Sequence, residues 1–174
     1  MAMGGDAEVI DRQDRVGSAG AVALSGHVRV YDGCGRLLTQ GHNRVVDAGI
    51  GAIVDAMATG GEMEIFRYVG FGTASGVTGA DTTTLEAEVS SAGYQRLCGE
   101  QGEGDNSCEY RVSGTWTNGS GQEQRVCEYG LLSGATGGTM LARISSGDSG
   151  GPGAQTVAPG GTLSLVWDIQ FADA

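Results

Sequence analysis

The sequence contains no lysine. All ten of its basic residues are arginines, set against 21 acidic residues, which gives a formal net charge of −11. A surface with this balance repels the phosphates of nucleic acids and of anionic membranes, so we expect neither as a partner. Two explanations of the missing lysine stay open: a GC-rich coding sequence, and a salt-rich environment in which excess carboxylates keep a protein hydrated.

Proline, aromatic residues and long apolar runs are also scarce. Two prolines exclude a proline-rich linker, and an aromatic content of 6% means that aliphatic side chains must fill most of the core. The first 20 residues are polar, so we expect no signal peptide and no transmembrane span. We predict instead a flexible N-terminal assembly arm over residues 1–20, whose charged residues include Asp6, Glu8, Arg12 and Arg15.

Glycine is the residue in excess, at 33 of 174 positions, against a usual share of roughly 7%. The glycines have no three-residue period, which excludes collagen. They fall between short apolar runs, where tight β connections need them. The glycine pattern therefore favours one compact β domain over residues 21–174.

Apolar residues in short alternating or continuous runs predict a series of strands, the first two joined as a hairpin through the turn Asp32 to Gly35. Residues 82–89 are ambiguous between a short helix and a strand. We predict a mainly β fold: an antiparallel β-sandwich of about seven to nine short strands with one α-helix packed on one side. The predicted strands are residues 21–31, 36–40, 65–71, 94–98, 108–117, 124–132, 139–145 and 162–171.

One stretch, residues 46–58, has helical spacing. Its apolar residues recur three and four positions apart, as they do on one face of a helix. Asn43 or Asp47 is a candidate N-terminal cap, and the pair Gly60-Gly61 is a candidate end. The apolar positions are Val46, Ile50, Ile53, Val54 and Met57.

The most enzyme-like motif is GDSGGP at Gly147 to Pro152, which surrounds the nucleophile in chymotrypsin-like serine proteases. Ser149 would be that nucleophile, and it needs a histidine base backed by a carboxylate. The chain has two histidines, His27 and His42, and neither lies in the sequence context that those proteases use. We therefore interpret the motif as a small-residue loop between two strands and expect no catalytic residues.

Four cysteines lie too far apart for a zinc knuckle. Cys98 and Cys108 flank a polar loop and are a candidate cross-hairpin disulfide, with free thiols as the open alternative. Within that loop, Glu100, Glu103 and Asp105 are candidate ligands of a hard structural cation such as Ca²⁺. A solvated acidic loop without cofactor is the preferred interpretation, because the spacing does not match an EF-hand.

Three stretches resemble small virion proteins of tailed phages and of related archaeal tailed viruses. Residues 43–50 (NRVVDAGI), leading into the helix, resemble their N-x-V-T-x-A-G segment. Residues 68–73 (YVGFGT) with 81–88 (DTTTLEAE) resemble I-A-L-G-T-G followed by D-T-x-L-x-N-E. Residues 128–132 (EYGLL), 138–143 (GTMLAR) and 162–169 (TLSLVWDI) are similar to E-x-G-L-F, G-T-L-L-A-R and L-x-V-x-W-x-I.

The resemblance covers roughly residues 43–171 and implies a non-enzymatic virion structural protein, located in a virion that assembles in the host cytoplasm. We expect first a capsid decoration, cement or turret subunit that forms a symmetric homo-oligomer and binds the major capsid protein or neighbouring virion proteins. The alternative is a tail, collar or receptor-binding fibre component, because related modules occur there. A secreted serine hydrolase is the third hypothesis, and it rests on GDSGGP alone.

Overall fold

The computed structural model describes residues 22–61, 65–89 and 95–173. The predicted arm, with Asp6, Glu8, Arg12 and Arg15, lies outside the described residues. The elements run in the order β1 (Val22–Asp32), β2 (Leu37–Val45), α1 (Asp47–Thr59), β3 (Tyr68–Gly72), β4 (Leu97–Cys98), β5 (Glu100–Glu103), β6 (Glu109–Thr117), β7 (Gln124–Val126), β8 (Glu128–Leu132), β9 (Met140–Ser145), β10 (Gln155–Val157) and β11 (Thr162–Asp173). The predicted mainly β fold with one helix is confirmed.

Nine of the strands form one antiparallel sheet in the order β4-β3-β8-β9-β2-β1-β11-β6-β5, and β7 pairs with β10 in a separate ribbon. The end strands of the large sheet, β4 and β5, are consecutive in the chain and are separated by Gly99 alone. The Gly99 amide donates a hydrogen bond to the Arg67 carbonyl oxygen at 2.8 Å. The sheet therefore curls until its two ends meet at Gly99.

The core lies inside this curled, nearly barrel-like sheet. Phe71 of β3 stacks on Trp116 of β6 with ring centroids 4.7 Å apart, and Tyr129 of β8 meets Phe71 edge-on at 5.9 Å. Strands β8 and β9 are buried at every position. Burial on both faces requires a further layer on their outer side, which α1 and residues 76–88 supply.

Most predicted strands lie within a few residues of the observed ones, and the predicted β1–β2 hairpin is present. Two short strands were not predicted: β5, inside the acidic stretch, and β10, inside the loop after β9. Residues 82–89 form neither a helix nor a strand; one isolated bridge joins Glu88 to Gly72. These elements were missed because their residues are polar or small and carry no apolar period.

The helix begins and ends close to the predicted positions, but its start differs. Val46 occupies the N-cap without any side-chain hydrogen bond, and Asp47 is the acidic residue of the first turn. Asn43 does not cap the helix, because it is a β2 residue buried over Gly26. Gly60 ends the helix in the left-handed conformation at φ 65°, as predicted.

The helix packs on the sheet through its small residues. A methyl group added at Gly49 would lie 2.5 Å from Leu141 Cα and 2.8 Å from the Leu141 carbonyl oxygen. This close approach turns most of the large apolar side chains outward: Ile50, Val54 and Met57 are 38%, 58% and 77% exposed. The apolar spacing thus predicted the helix correctly, but three of its members face solvent.

Two glycines of α1 give a matched test of this packing. We predict that Gly49→Ala lowers the free energy of unfolding by about 1–3 kcal/mol, because the new methyl group meets backbone atoms of Leu141. Gly51 has open space around it, so Gly51→Ala gains about 0.5–1 kcal/mol from helix propensity. Urea denaturation followed by circular dichroism measures both, and equal effects of the two substitutions would contradict the packing described.

Candidate functional site

The most buried charges of the described chain lie side by side on the outer face of β8 and β9. Glu128 is 0% exposed and Arg143 is 2% exposed. The Arg143 guanidinium donates from Nε to Glu128 Oε2 at 2.8 Å, and its Nη2 lies 2.6 Å from the same oxygen. An ion pair this deep needs further hydrogen bonds to offset the loss of hydration.

Those hydrogen bonds come from residues 76–88, here called the cover segment. The backbone amide of Ala87 donates to Glu128 Oε1 at 2.8 Å, and that of Glu86 donates to Glu128 Oε2 at 3.1 Å. Thr78 Oγ1 lies 3.3 Å from Arg143 Nη1. The ion pair therefore holds an irregular segment against the sheet without any regular secondary structure.

Glycines of the sheet make room for the cover segment. Gly70 and Gly130 are cross-strand partners, and Gly72 pairs with Glu128. A methyl group at Gly70 would lie 2.8 Å from Leu85 Cδ1, and one at Gly130 would lie 3.0 Å from Leu85 Cδ2. Leu85, which is 6% exposed, therefore packs against the sheet in the space that these glycines leave open.

A second ion pair holds the far end of the cover segment. Arg96 donates to both carboxylate oxygens of Glu88, at 2.6 and 2.9 Å. Its Nη1 also donates to the carbonyl oxygens of Gly134 and Gly137 at 2.7 and 2.5 Å. Arg96 therefore joins the cover segment to the β8–β9 turn.

The GDSGGP loop holds the other end of the cover segment. The Asp148 carboxylate accepts hydrogen bonds from the Thr78 amide at 2.6 Å, the Thr78 hydroxyl at 2.8 Å and the Ser145 amide at 2.7 Å. The loop also lies against β2, where the Gly153 amide donates to Thr39 Oγ1 at 3.0 Å. The aspartate of the motif thus fixes loop geometry, with no histidine among its hydrogen-bond partners.

Ser149, the residue that would be the nucleophile, follows Asp148 directly and is exposed. It lines a cleft of ≈ 460 Å³ that also contains His42. Across the part of the chain that the structure describes, the Ser149 side chain makes no hydrogen bond to either histidine. The Ser–His contact that defines a triad is therefore missing from this arrangement.

A row of polar side chains crosses the sheet beside that cleft. His42 is the register partner of His27, His27 is the partner of Asp168, and Asp168 is the partner of Arg111. The two imidazole rings lie 5.1 Å apart between centroids. Asp168 accepts a hydrogen bond from Arg111 Nε at 2.5 Å and another from Arg29.

Burial and hydrogen bonding shift the pKa values of two residues in this row. Burial lowers the pKa of His27, and the neighbouring His42 and Arg29 lower it further, while Asp168 acts in the opposite direction. Hydrogen bonds to Asp168 and to Asp105 raise the pKa of Arg111. Sequence reasoning assigned the two histidines to separate places and did not group them, because their meeting depends on the hairpin register.

The structure does not bring the candidate cation ligands together. Glu100 and Glu103 lie three positions apart on β5, so their side chains point to opposite faces. Asp105 pairs with Arg111 at 3.1 Å. Within the described residues, no group of three or more histidine, cysteine, aspartate or glutamate side chains is arranged to hold a metal ion.

The candidate Cys98–Cys108 disulfide is not formed; both thiols are free, which is the alternative that the sequence left open, and both are exposed. Their positions explain this. Glu100 pairs with Ser113, five residues along the strand from Cys108, which is about 16 Å. Cys98 lies beyond Glu100 at the opposite end, so the two Cα atoms are far outside the range of about 7 Å that a disulfide can span.

No family model, curated protein or solved structure matches this chain. Within the ranges that the structure describes, no helix combines the length and the apolar character that crossing a bilayer would take.

We predict that Arg143→Met lowers the free energy of unfolding by about 3–5 kcal/mol, because it leaves the buried Glu128 carboxylate without its cation. Arg36→Met is the matched control: Arg36 pairs with Asp32 at 3.1 Å, but its side chain is 78% exposed, so little change is expected. Chemical denaturation of both variants is the measurement. A loss in Arg143→Met no larger than in the control would show that the buried pair is not central to stability.

The GDSGGP loop gives a second matched test. We predict that Asp148→Ala costs about 2 kcal/mol of stability and speeds proteolysis of the loop, because three hydrogen bonds to a charged acceptor are lost. Ser149→Ala leaves both properties unchanged, and neither the parent chain nor the variant reacts with a fluorophosphonate probe. Labelling of the parent chain that disappears in Ser149→Ala would instead support the serine hydrolase hypothesis.

Proposed function

We propose that this chain is a non-enzymatic structural protein of a tailed-virus particle, a subunit that decorates the capsid as a symmetric homo-oligomer. The observation that carries the proposal is the resemblance of three separate stretches to virion proteins. The proposed partners are further copies of the chain and the major capsid protein or neighbouring virion proteins.

The three stretches contact one another in the folded chain. Glu128 of the third stretch accepts hydrogen bonds from the amides of Glu86 and Ala87 in the second. Val46 of the first stretch donates its amide to the Leu141 carbonyl oxygen of the third at 2.9 Å. The three stretches therefore belong to one contiguous part of the fold.

The exposed face of α1 supports an assembly role. Ile50, Val54 and Met57 lie four and three positions apart and form an apolar ridge on the solvent side of the helix. Contiguous apolar surface on an otherwise polar protein is typical of protein–protein contact sites. The net charge of −11 favours protein neighbours over nucleic acid for this contact.

Cryo-electron microscopy of purified particles tests the proposal. We expect density for this chain at symmetry-related positions on the capsid surface. Density on the tail alone would favour the alternative, a tail, collar or fibre component, whose modules share the same sequence pattern. Absence of the chain from purified particles would contradict both.

The homo-oligomer is tested with the isolated chain by light scattering coupled to size-exclusion chromatography. We expect an oligomer that the double substitution Val54→Gln and Met57→Gln converts to a monomer. Val77→Gln is the matched control, because Val77 is equally exposed at 76% but lies outside the helix. A parent chain that is monomeric at all concentrations would contradict this part of the proposal.

A further inference from the structure

The two histidines of the chain lie directly opposite each other on β1 and β2. A β-bulge produces this arrangement. Partners run Tyr31↔Leu37 and then Val30↔Thr39, so Leu38 is the extra residue. An unbroken register would pair His27 with Gly41 and turn His42 to the other face of the sheet.

Both imidazoles open into one cleft of ≈ 250 Å³, where His42 is exposed and His27 is half-buried. The cleft is also lined by Asp105, Glu109 and Asp168. Asp168 is paired with Arg29 through one oxygen and with Arg111 through the other, and it supplies negative charge beside His27. Arg29 also lines the cleft and Arg111 lies beside it, so the three carboxylates leave a small excess of negative charge.

We infer that His27 and His42 bind one divalent transition-metal ion of the zinc, nickel or copper class, with water in the remaining coordination positions. Imidazole nitrogen is a preferred ligand of these metals, whereas Ca²⁺ and Mg²⁺ require oxygen ligands. With metal–nitrogen bonds of about 2.0–2.1 Å, two imidazoles at a near-tetrahedral angle have ring centres about 5 Å apart. The observed separation is 5.1 Å.

The inference does not depend on a role in a particle, because it rests on the hairpin alone. Isothermal titration of the full chain with Ni²⁺ is the test. The exposed thiols Cys34, Cys98 and Cys108 also bind soft metals, so they are first alkylated. We expect one Ni²⁺ per chain.

His27→Gln and His42→Gln are each expected to weaken Ni²⁺ binding at least about tenfold. Gln170→Ala is the matched control, because Gln170 lines the same cleft but carries no imidazole. A thermal melt of each variant without metal verifies that the fold is kept.

A further variant tests whether the two histidines must lie opposite each other or need only be present on the same face of the sheet. The double substitution His42→Gln and Gln40→His keeps two histidines on the same face but places them diagonally, about 7–8 Å apart between Cα atoms. We expect this variant to bind more weakly than the parent chain. Unchanged affinity in both single histidine variants, or no binding by the parent chain at millimolar Ni²⁺, would overturn the inference.

Discussion

The fold depends on one buried interaction, the ion pair between Glu128 and Arg143. Each charge would be costly to bury alone, and together they still require the amides of Glu86 and Ala87 to complete their hydrogen bonding. The requirement acts in both directions. The pair is tolerable only while the cover segment is in place, and the cover segment, which has no regular structure, stays in place because the pair holds it.

The glycines of the sheet follow from the same constraint. A cover segment can reach the backbone of β3 and β8 only where side chains are missing, and Gly70, Gly72 and Gly130 provide that space. Glycine excess in this chain therefore has two physical origins. Some glycines allow turns, such as Gly60 at φ 65°, and others allow close approach of a second layer.

The sequence predicted the regular elements well, because alternation and helical spacing report local geometry. It did not predict the Glu128–Arg143 pair, since the partners lie on different strands and charged residues are usually solvated. One signal was available: each charge lies within a run of apolar residues, Val126 to Leu132 and Met140 to Ile144, where a lone charge indicates a buried partner.

Gly49 could not be assigned to the buried face of the helix, because a glycine carries no apolar signal. The two histidines lie opposite each other because of a bulge at Leu38, and no pattern in the sequence predicts that bulge.

The meeting of β4 and β5 at Gly99 has a consequence for how copies of the chain can associate. Open sheets join edge to edge through backbone hydrogen bonds. These bonds do not depend on which side chains are present, so further copies can add without limit. Here the two end strands of the large sheet run into one another at Gly99, and the association proposed above uses side chains such as those on α1 instead of strand edges. Side-chain contacts select their partner by shape, so they favour one closed arrangement of copies over unlimited edge-to-edge growth.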